Sequence, residues 1–223
     1  MSVSPHQLGS ITYFVKGENP KLLLLTGMHG DESGVIDSVT SYVEQNAEKL
    51  PDFLYIPQVS PSAVAAKTRI NSFNHDVNRQ FFDDPKDPEV ANTITIISPH
   101  HFNLCLNFHE DPDLTREFYL YDTHLMPAQE LEEYKKYILN AGAILHTGID
   151  DAFDENLKLQ VNDGYVSTPQ GFFPAAAGFA GVYLIDHSIV KRFINPEIPG
   201  KGDAALKNRL VASMFSLFLP QIS

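Results

Sequence analysis

The chain has 223 residues, 43% of them apolar, and a formal charge of -12 from 28 acidic against 16 basic side chains. That is enough apolar material for a sizeable core, while the negative balance repels phosphate backbones and anionic bilayers and so excludes nucleic acid and membrane as partners. The one cysteine, Cys105, allows no disulfide within the chain and reads as a small core residue in a reducing compartment. The opening MSVSPHQLGS lacks the basic-then-apolar order of a secretory leader, and no run approaches the roughly eighteen apolar residues of a membrane span. The expectation is a soluble, cytoplasmic protein.

Taken in chain order, a short apolar run at 11–15 predicts a strand, and so does the all-leucine run that continues to Thr26 over 22–26. Residues 33–50, with apolar side chains at 35, 36, 39 and 43, predict a helix. Strands follow at 53–59 and 102–108 with a helix at 88–97 between them, then a strand at 117–121, a helix at 127–141, a strand at 182–186 and a helix at 204–219. This alternation predicts an α/β fold, a single domain over residues 1–223 whose central mixed, largely parallel sheet is flanked by helices. Residues 150–180, with clustered polar side chains and then Gly164, Pro169 and Gly171, read as a long loop over a site.

Chemistry gathers where the strands end. After the leucine run, GMHGDE presents His29 and Glu32 three residues apart. An imidazole and a carboxylate delivered together at the carboxyl end of a strand suit a divalent metal, because ligands collect at that edge of an open sheet. Alone, the pair is a weak signal and reads more readily as a solvated loop with Glu32 in the first turn of a helix. Further on, TRINSFNHDVNRQFFDD supplies Arg69, Asn78 and Arg79. Two guanidiniums and an amide suit an anionic group, the planar forks matching a carboxylate, unless they pair with Asp76, Asp83 or Asp84. The run LCLNFHED then ends at His109. His29, Glu32 and His109 make a two-His, one-carboxylate set, a catalytic zinc composition that leaves one position for water. Glu110 and Asp111 are candidates to orient a ligand imidazole, or a solvated acidic turn. His75, His100, His101, His124 and His146 have no partner at ligand spacing and read as surface or core.

In order along residues 22–186, GMHGDE, TR, DVNRQF and a strand ending in FHED resemble the zinc carboxypeptidase superfamily, including its succinylglutamate desuccinylase/aspartoacylase branch. The resemblance implies one Zn2+ per chain on His29, Glu32 and His109, with Arg69 polarising the scissile carbonyl and stabilising its oxyanion. It implies Asn78 and Arg79 on a substrate carboxylate, and makes Tyr165 the counterpart of a substrate-binding loop tyrosine. The family's general base is a glutamate at the end of a later strand, and the corresponding segment, GVYLIDHS, offers Asp186 instead. Aspartate is shorter by one carbon–carbon bond, about 1.5 Å. His187 ranks behind it, because strand alternation turns it to the other face, and Glu110 ranks third.

The activity implied is a zinc hydrolase that cleaves an amide next to a free carboxylate, as a carboxypeptidase-like metallopeptidase acting on small peptides. The alternatives are an N-acyl amino acid deacylase and a metal-binding homologue without catalysis. The 37 residues after Asp186 leave no room for the additional carboxyl-terminal domain of aspartoacylase-like members, which favours an open site that admits a peptide terminus. No GxSxG elbow is present, so a serine hydrolase of the α/β type is disfavoured. Nothing in the sequence marks an oligomeric state.

Overall fold

The computed structural model describes residues 3–151, 154 and 157–222. Its architecture follows from runs such as Leu22 to Leu25, where every side chain is fully buried. Side chains alternate across a strand, so a run that is apolar at every position must be covered on both faces. Leu22 and Leu24 pack with Phe53 and Tyr55 on one face, and Leu23 and Leu25 with Leu54 and Ile56 on the other.

In chain order the elements are β1 (Pro5–Leu8), β2 (Ile11–Lys16), β3 (Leu22–Leu25), α1 (Gly34–Asn46), β4 (Phe53–Ile56), α2 (Pro61–Ala66), α3 (Pro88–Ile97), β5 (Phe102–Asn107), β6 (His109–Asp111) and β7 (Glu117–Asp122). They continue with α4 (Ala128–Ala141), β8 (Ile144–Leu145), β9 (Gly148–Ile149), β10 (Gln160–Val161), β11 (Tyr165–Ser167), α5 (Ala180–Asp186), β12 (Val190–Pro199) and α6 (Ala204–Phe218). One sheet takes the order β1-β2-β4-β3-β5-β12-β7-β11, with β6 alongside β12 and β8 alongside β7. The central neighbours β4, β3, β5 and β12 are parallel. Antiparallel pairing enters at β1/β2, β2/β4 and β12/β7. Side chains of α1, α4 and α6 fill the core on one face, and those of α3 and α5 fill it on the other. The fold is thus the mixed, mostly parallel α/β sheet expected, and Cys105 lies in its core.

The helix at 88–97 begins where the sequence marks it: Pro88 opens the first turn, and the Asp87 carboxylate accepts from the backbone N–H of Glu89 and Val90. One expectation is overturned. Residues 182–186 belong to helix α5, whose buried residues Ala180 and Leu184 lie four apart on one face, a helical and not a strand period. The last long strand is β12, which the sequence reading passed over. Its register sets Ile194 beside Leu106 and Glu197 beside His109, so Pro196 falls opposite Phe108, where β5 ends and β6 begins. A proline withholds one ladder hydrogen bond, and here it does so where the neighbouring strand is already interrupted.

The segment read as a loop over a site contains β10, β11 and a short 3-10 turn at Ala175–Ala177, and its positions 152, 153, 155 and 156 lie outside the described residues. Among the described residues no helix is long and apolar enough to cross a membrane.

Candidate metal centre and its cavity

At the carboxyl end of β3 the chain bends through Gly27, at φ +62°, where a Cβ would lie 2.8 Å from the Pro57 carbonyl oxygen. Only glycine fits that bend, and it delivers His29 and then Glu32 just before α1. From the next strand, β5 ends at Asn107 and β6 opens at His109. His29, Glu32 and His109 are all buried, and one donor atom from each lies within 4.8 Å of the others. Nδ1 of His29 is 2.5 Å from Glu32 Oε1, and Nδ1 of His109 is 2.7 Å from Oε2. Behind the rings, His29 Nε2 is 2.9 Å from Asp76 Oδ1, and His109 Nε2 is 2.9 Å from the Asn107 amide nitrogen.

Burial works against a charged His29, but the Glu32 carboxylate and the hydrogen bond to Asp76 outweigh it and raise its pKa to about 9. Burial likewise opposes an ionised Glu32, and the two flanking imidazoles more than offset this, holding it well below the usual carboxylate range. For His109 burial prevails and its pKa is lowered, which keeps the ring a neutral donor. Two Nδ1 atoms and a carboxylate converging on one point, with one ring held from behind by an aspartate, form the donor chemistry of a divalent transition metal. The residues fit such an ion.

Asp76 links this centre to the guanidiniums. It caps the 3-10 turn Val77–Arg79, its Oδ1 accepting from Asn78 N at 3.0 Å, while Oδ2 accepts from Arg69 Nε at 2.9 Å. Arg69 remains partly exposed, with Nη1 3.7 Å from Glu32 Oε1. The side chain of Asn78 accepts from Ala180 N at the start of α5 (3.0 Å). Arg79 lies over the Phe179 ring, 4.3 Å from its centroid, and is ion-paired with Asp154. Arg69, Asn78 and Arg79 all line one cavity of about 560 Å3 that also takes in His29, Glu32 and His109.

The other expected site residues stand elsewhere or are otherwise engaged. Asp186 is exposed at the end of α5 on the cavity wall and accepts from Gln170 Nε2 at 3.1 Å; it does not stand at a strand end. His187 stacks on Tyr183 and bonds Asp83. Tyr165 is a correction: its hydroxyl donates to the His124 carbonyl (2.7 Å) and accepts from Met126 N (3.0 Å), and it does not line the metal cavity. The aromatic walls near the centre are instead Tyr119, Tyr121, Phe173 and Phe179. Glu110 is committed to a buried ion pair with Lys207 and to the N–H of Gly34.

One acid in the cavity was missed by sequence reasoning. Glu197 lies near the end of β12, in register with His109, and lines the cavity beside the three candidate ligands. Burial first, then the charges of Glu32 and Asp111, hold its carboxyl well above the ordinary range.

No protein-family model and no curated protein sequence matches the chain. Solved structures do. A presumed metallopeptidase from Shewanella amazonensis SB2B superposes with a TM-score of 0.78 at 19% identity, over 99% of this chain and 87% of that one. A metallo-carboxypeptidase from Burkholderia cenocepacia gives 0.63 at 15% identity, over 96% and 64%. A succinylglutamate desuccinylase/aspartoacylase from Rhodobacter sphaeroides gives 0.59 at 16% identity, over 93% and 58%.

The chain has the zinc carboxypeptidase fold.

That zinc carboxypeptidase fold explains why the catalytic possibilities cluster at one edge: β3, β5 with β6, and β12 are adjacent and parallel, so their carboxyl ends present His29, His109 and Glu197 side by side. The signal for Glu197 lay in FINPEIPG, an apolar run with an acid near its end, which its two prolines disguised as a turn. Asp76 was visible only as an ion-pair partner, because its contact with His29 spans 47 positions.

Proposed function

We propose that the protein is a zinc-dependent hydrolase that cleaves an amide bond next to a free carboxylate, acting on peptide carboxyl termini as a metallocarboxypeptidase. The observation that carries this reading is the convergence of His29, Glu32 and His109 in a cavity that also holds Glu197, Arg69, Asn78 and Arg79. Zinc, held by the three converging donors, would supply a Lewis acid that lowers the pKa of a water from 15.7 toward about 7.

Glu197 is the proton acceptor in this reading. It takes the proton from the attacking water and returns it to the leaving amine, a role worth roughly 10²- to 10⁴-fold in rate. Arg69, steadied at Nε by Asp76, turns its remaining donors to the oxygen on which charge develops, about 3 kcal/mol for such a donor. Arg79 and Asn78 fix the substrate carboxylate, which competes with Asp154 for the guanidinium. With a glutamate supplying the base, the shorter reach of Asp186 no longer argues for a binding protein without catalysis.

The test is turnover of hippuryl-phenylalanine and of a panel of N-acetyl and N-succinyl amino acids by the zinc-loaded protein, its chelated form and Glu197→Gln. Expected are loss on chelation, recovery with zinc, and a drop of about 10³-fold for Glu197→Gln. Turnover of the acyl amino acids alone would assign the deacylase reaction instead. Unimpaired turnover by Glu197→Gln would remove the glutamate from the chemistry.

A further inference from the structure

We propose that Asn195 is a positioning residue for Glu197, itself held from the neighbouring strand β5 by Asn107. The inference rests on the reading of Glu197 as proton acceptor and deepens it. Asn195 and Glu197 lie two apart on β12, so their side chains leave the strand on the same face. Asn195 Nδ2 donates to Glu197 Oε1 at 2.9 Å, and Asn195 Oδ1 accepts from Asn107 Nδ2 at 2.8 Å. That same Asn107 nitrogen is 2.9 Å from His109 Nε2. The chain of contacts is therefore continuous from the base on β12, across to the end of β5, and back to the candidate ligand on β6.

Two features distinguish this bridge from ordinary core polarity. Asn107 is fully buried, and among the described residues its Oδ1 has no hydrogen-bond partner. A buried amide that leaves its oxygen unpaired carries a desolvation cost, and the bond its nitrogen donates to Asn195 offsets part of it. Among the described residues, moreover, the Asn195 amide is the side-chain donor that reaches Glu197. Without it the carboxylate is free to rotate about its own side-chain torsions while its strand stays in place. A base must sit within hydrogen-bond reach of the proton it moves, and misplacement by about 1 Å costs on the order of 10²-fold.

The experiment compares Asn195→Ala, Asn195→Leu and Asn107→Ala with wild type and Glu197→Gln in the zinc-loaded protein. It measures kcat and KM on hippuryl-phenylalanine and zinc affinity by competition with a chelating dye. Asn195→Leu keeps the shape and removes the donor without adding a charge, so it tests the contact even where the alanine variant folds poorly. Both Asn195 variants are expected to lose about 10²-fold in kcat with KM and zinc affinity within twofold of wild type. Asn107→Ala is expected to lose kcat as the Asn195 variants do, because it releases the back of Asn195, with zinc affinity within twofold of wild type. Full kcat in both Asn195 variants alongside an inactive Glu197→Gln would overturn the proposal and leave the base assignment standing. Full kcat in Asn107→Ala would overturn the support assigned to Asn107. An active Glu197→Gln would overturn the base assignment, and the proposal with it.

Discussion

Replacing Asp76 by asparagine isolates how the centre is aimed. The wild-type carboxylate serves three donors: Oδ1 takes His29 Nε2 at 2.9 Å and Asn78 N at 3.0 Å, and Oδ2 takes Arg69 Nε at 2.9 Å. An amide has a single oxygen. If it stays with His29 and Asn78, Arg69 meets an N–H and loses a charge-assisted bond of about 1.5–3 kcal/mol, and His29 loses the negative charge behind its ring. Loss of such a partner behind a ligand imidazole weakens metal binding by roughly 10- to 100-fold, about 1.4–2.7 kcal/mol. Zinc affinity by dye competition is therefore expected to fall by that factor in Asp76→Asn, with kcat falling further as Arg69 is released. The turn at Val77–Arg79 keeps its cap in the asparagine variant. In Asp76→Ala the cap is lost as well, at about 1 kcal/mol, or about 2–4 °C in Tm. Wild-type zinc affinity in Asp76→Asn would refute the role assigned to this carboxylate.

Three further outcomes follow from named contacts. Asp154→Asn withdraws the charge paired with Arg79, so KM for a carboxylate-ended substrate should fall several-fold with kcat unchanged; a raised KM in steady-state assays would show that Asp154 serves substrate binding itself. Because burial and the neighbouring Glu32 and Asp111 raise the Glu197 pKa, and the base works ionised, kcat/KM should fall with decreasing pH along a limb above the ~4.3 of free glutamate. A pH–rate profile flat down to that value would contradict the assignment. Lys207→Met leaves the buried Glu110 carboxylate without its cation, which should cost about 3–5 kcal/mol and lower Tm by roughly 10 °C, with Glu110→Gln on top restoring much of the loss. Melting followed by circular dichroism decides this, and an unchanged Tm in the single variant would show the pair to be neutral.

What was legible in the sequence was local. His29 and Glu32 sit three positions apart after a four-leucine strand, so one turn brings them together, and the period of 88–97 with its Asp87–Pro88 start marks α3 outright. His109 could be joined to them because it follows a run that is apolar but for Asn103 and Asn107. Glu197, the proposed base, was not legible, for two physical reasons. Pro196 and Pro199 break the pattern of a central strand, and Pro196 is accommodated only because β5 gives way to β6 opposite it, a tertiary detail. The run 182–186, short and apolar, fits a strand or a helix turn equally well until its buried face is known. Tyr165 failed for a similar reason: its hydroxyl is taken up by backbone groups at 124 and 126, some forty positions away.

The place of β12 in the sheet bears on how the molecule is made. Of the described strands β12 comes last in chain order, yet it lies between β5 and β7 inside the sheet. Until it emerges from the ribosome, the nascent chain carries two bare strand edges flanking an unfilled slot, the kind of surface that recruits stray strands and aggregates. Closing the slot joins distant parts of the chain, which makes folding slow, and the same event carries Glu197 to its post. A molecule that stalls at this step is sticky and lacks Glu197 in its cavity, so variants that lean more on chaperones during synthesis should yield less folded protein without them.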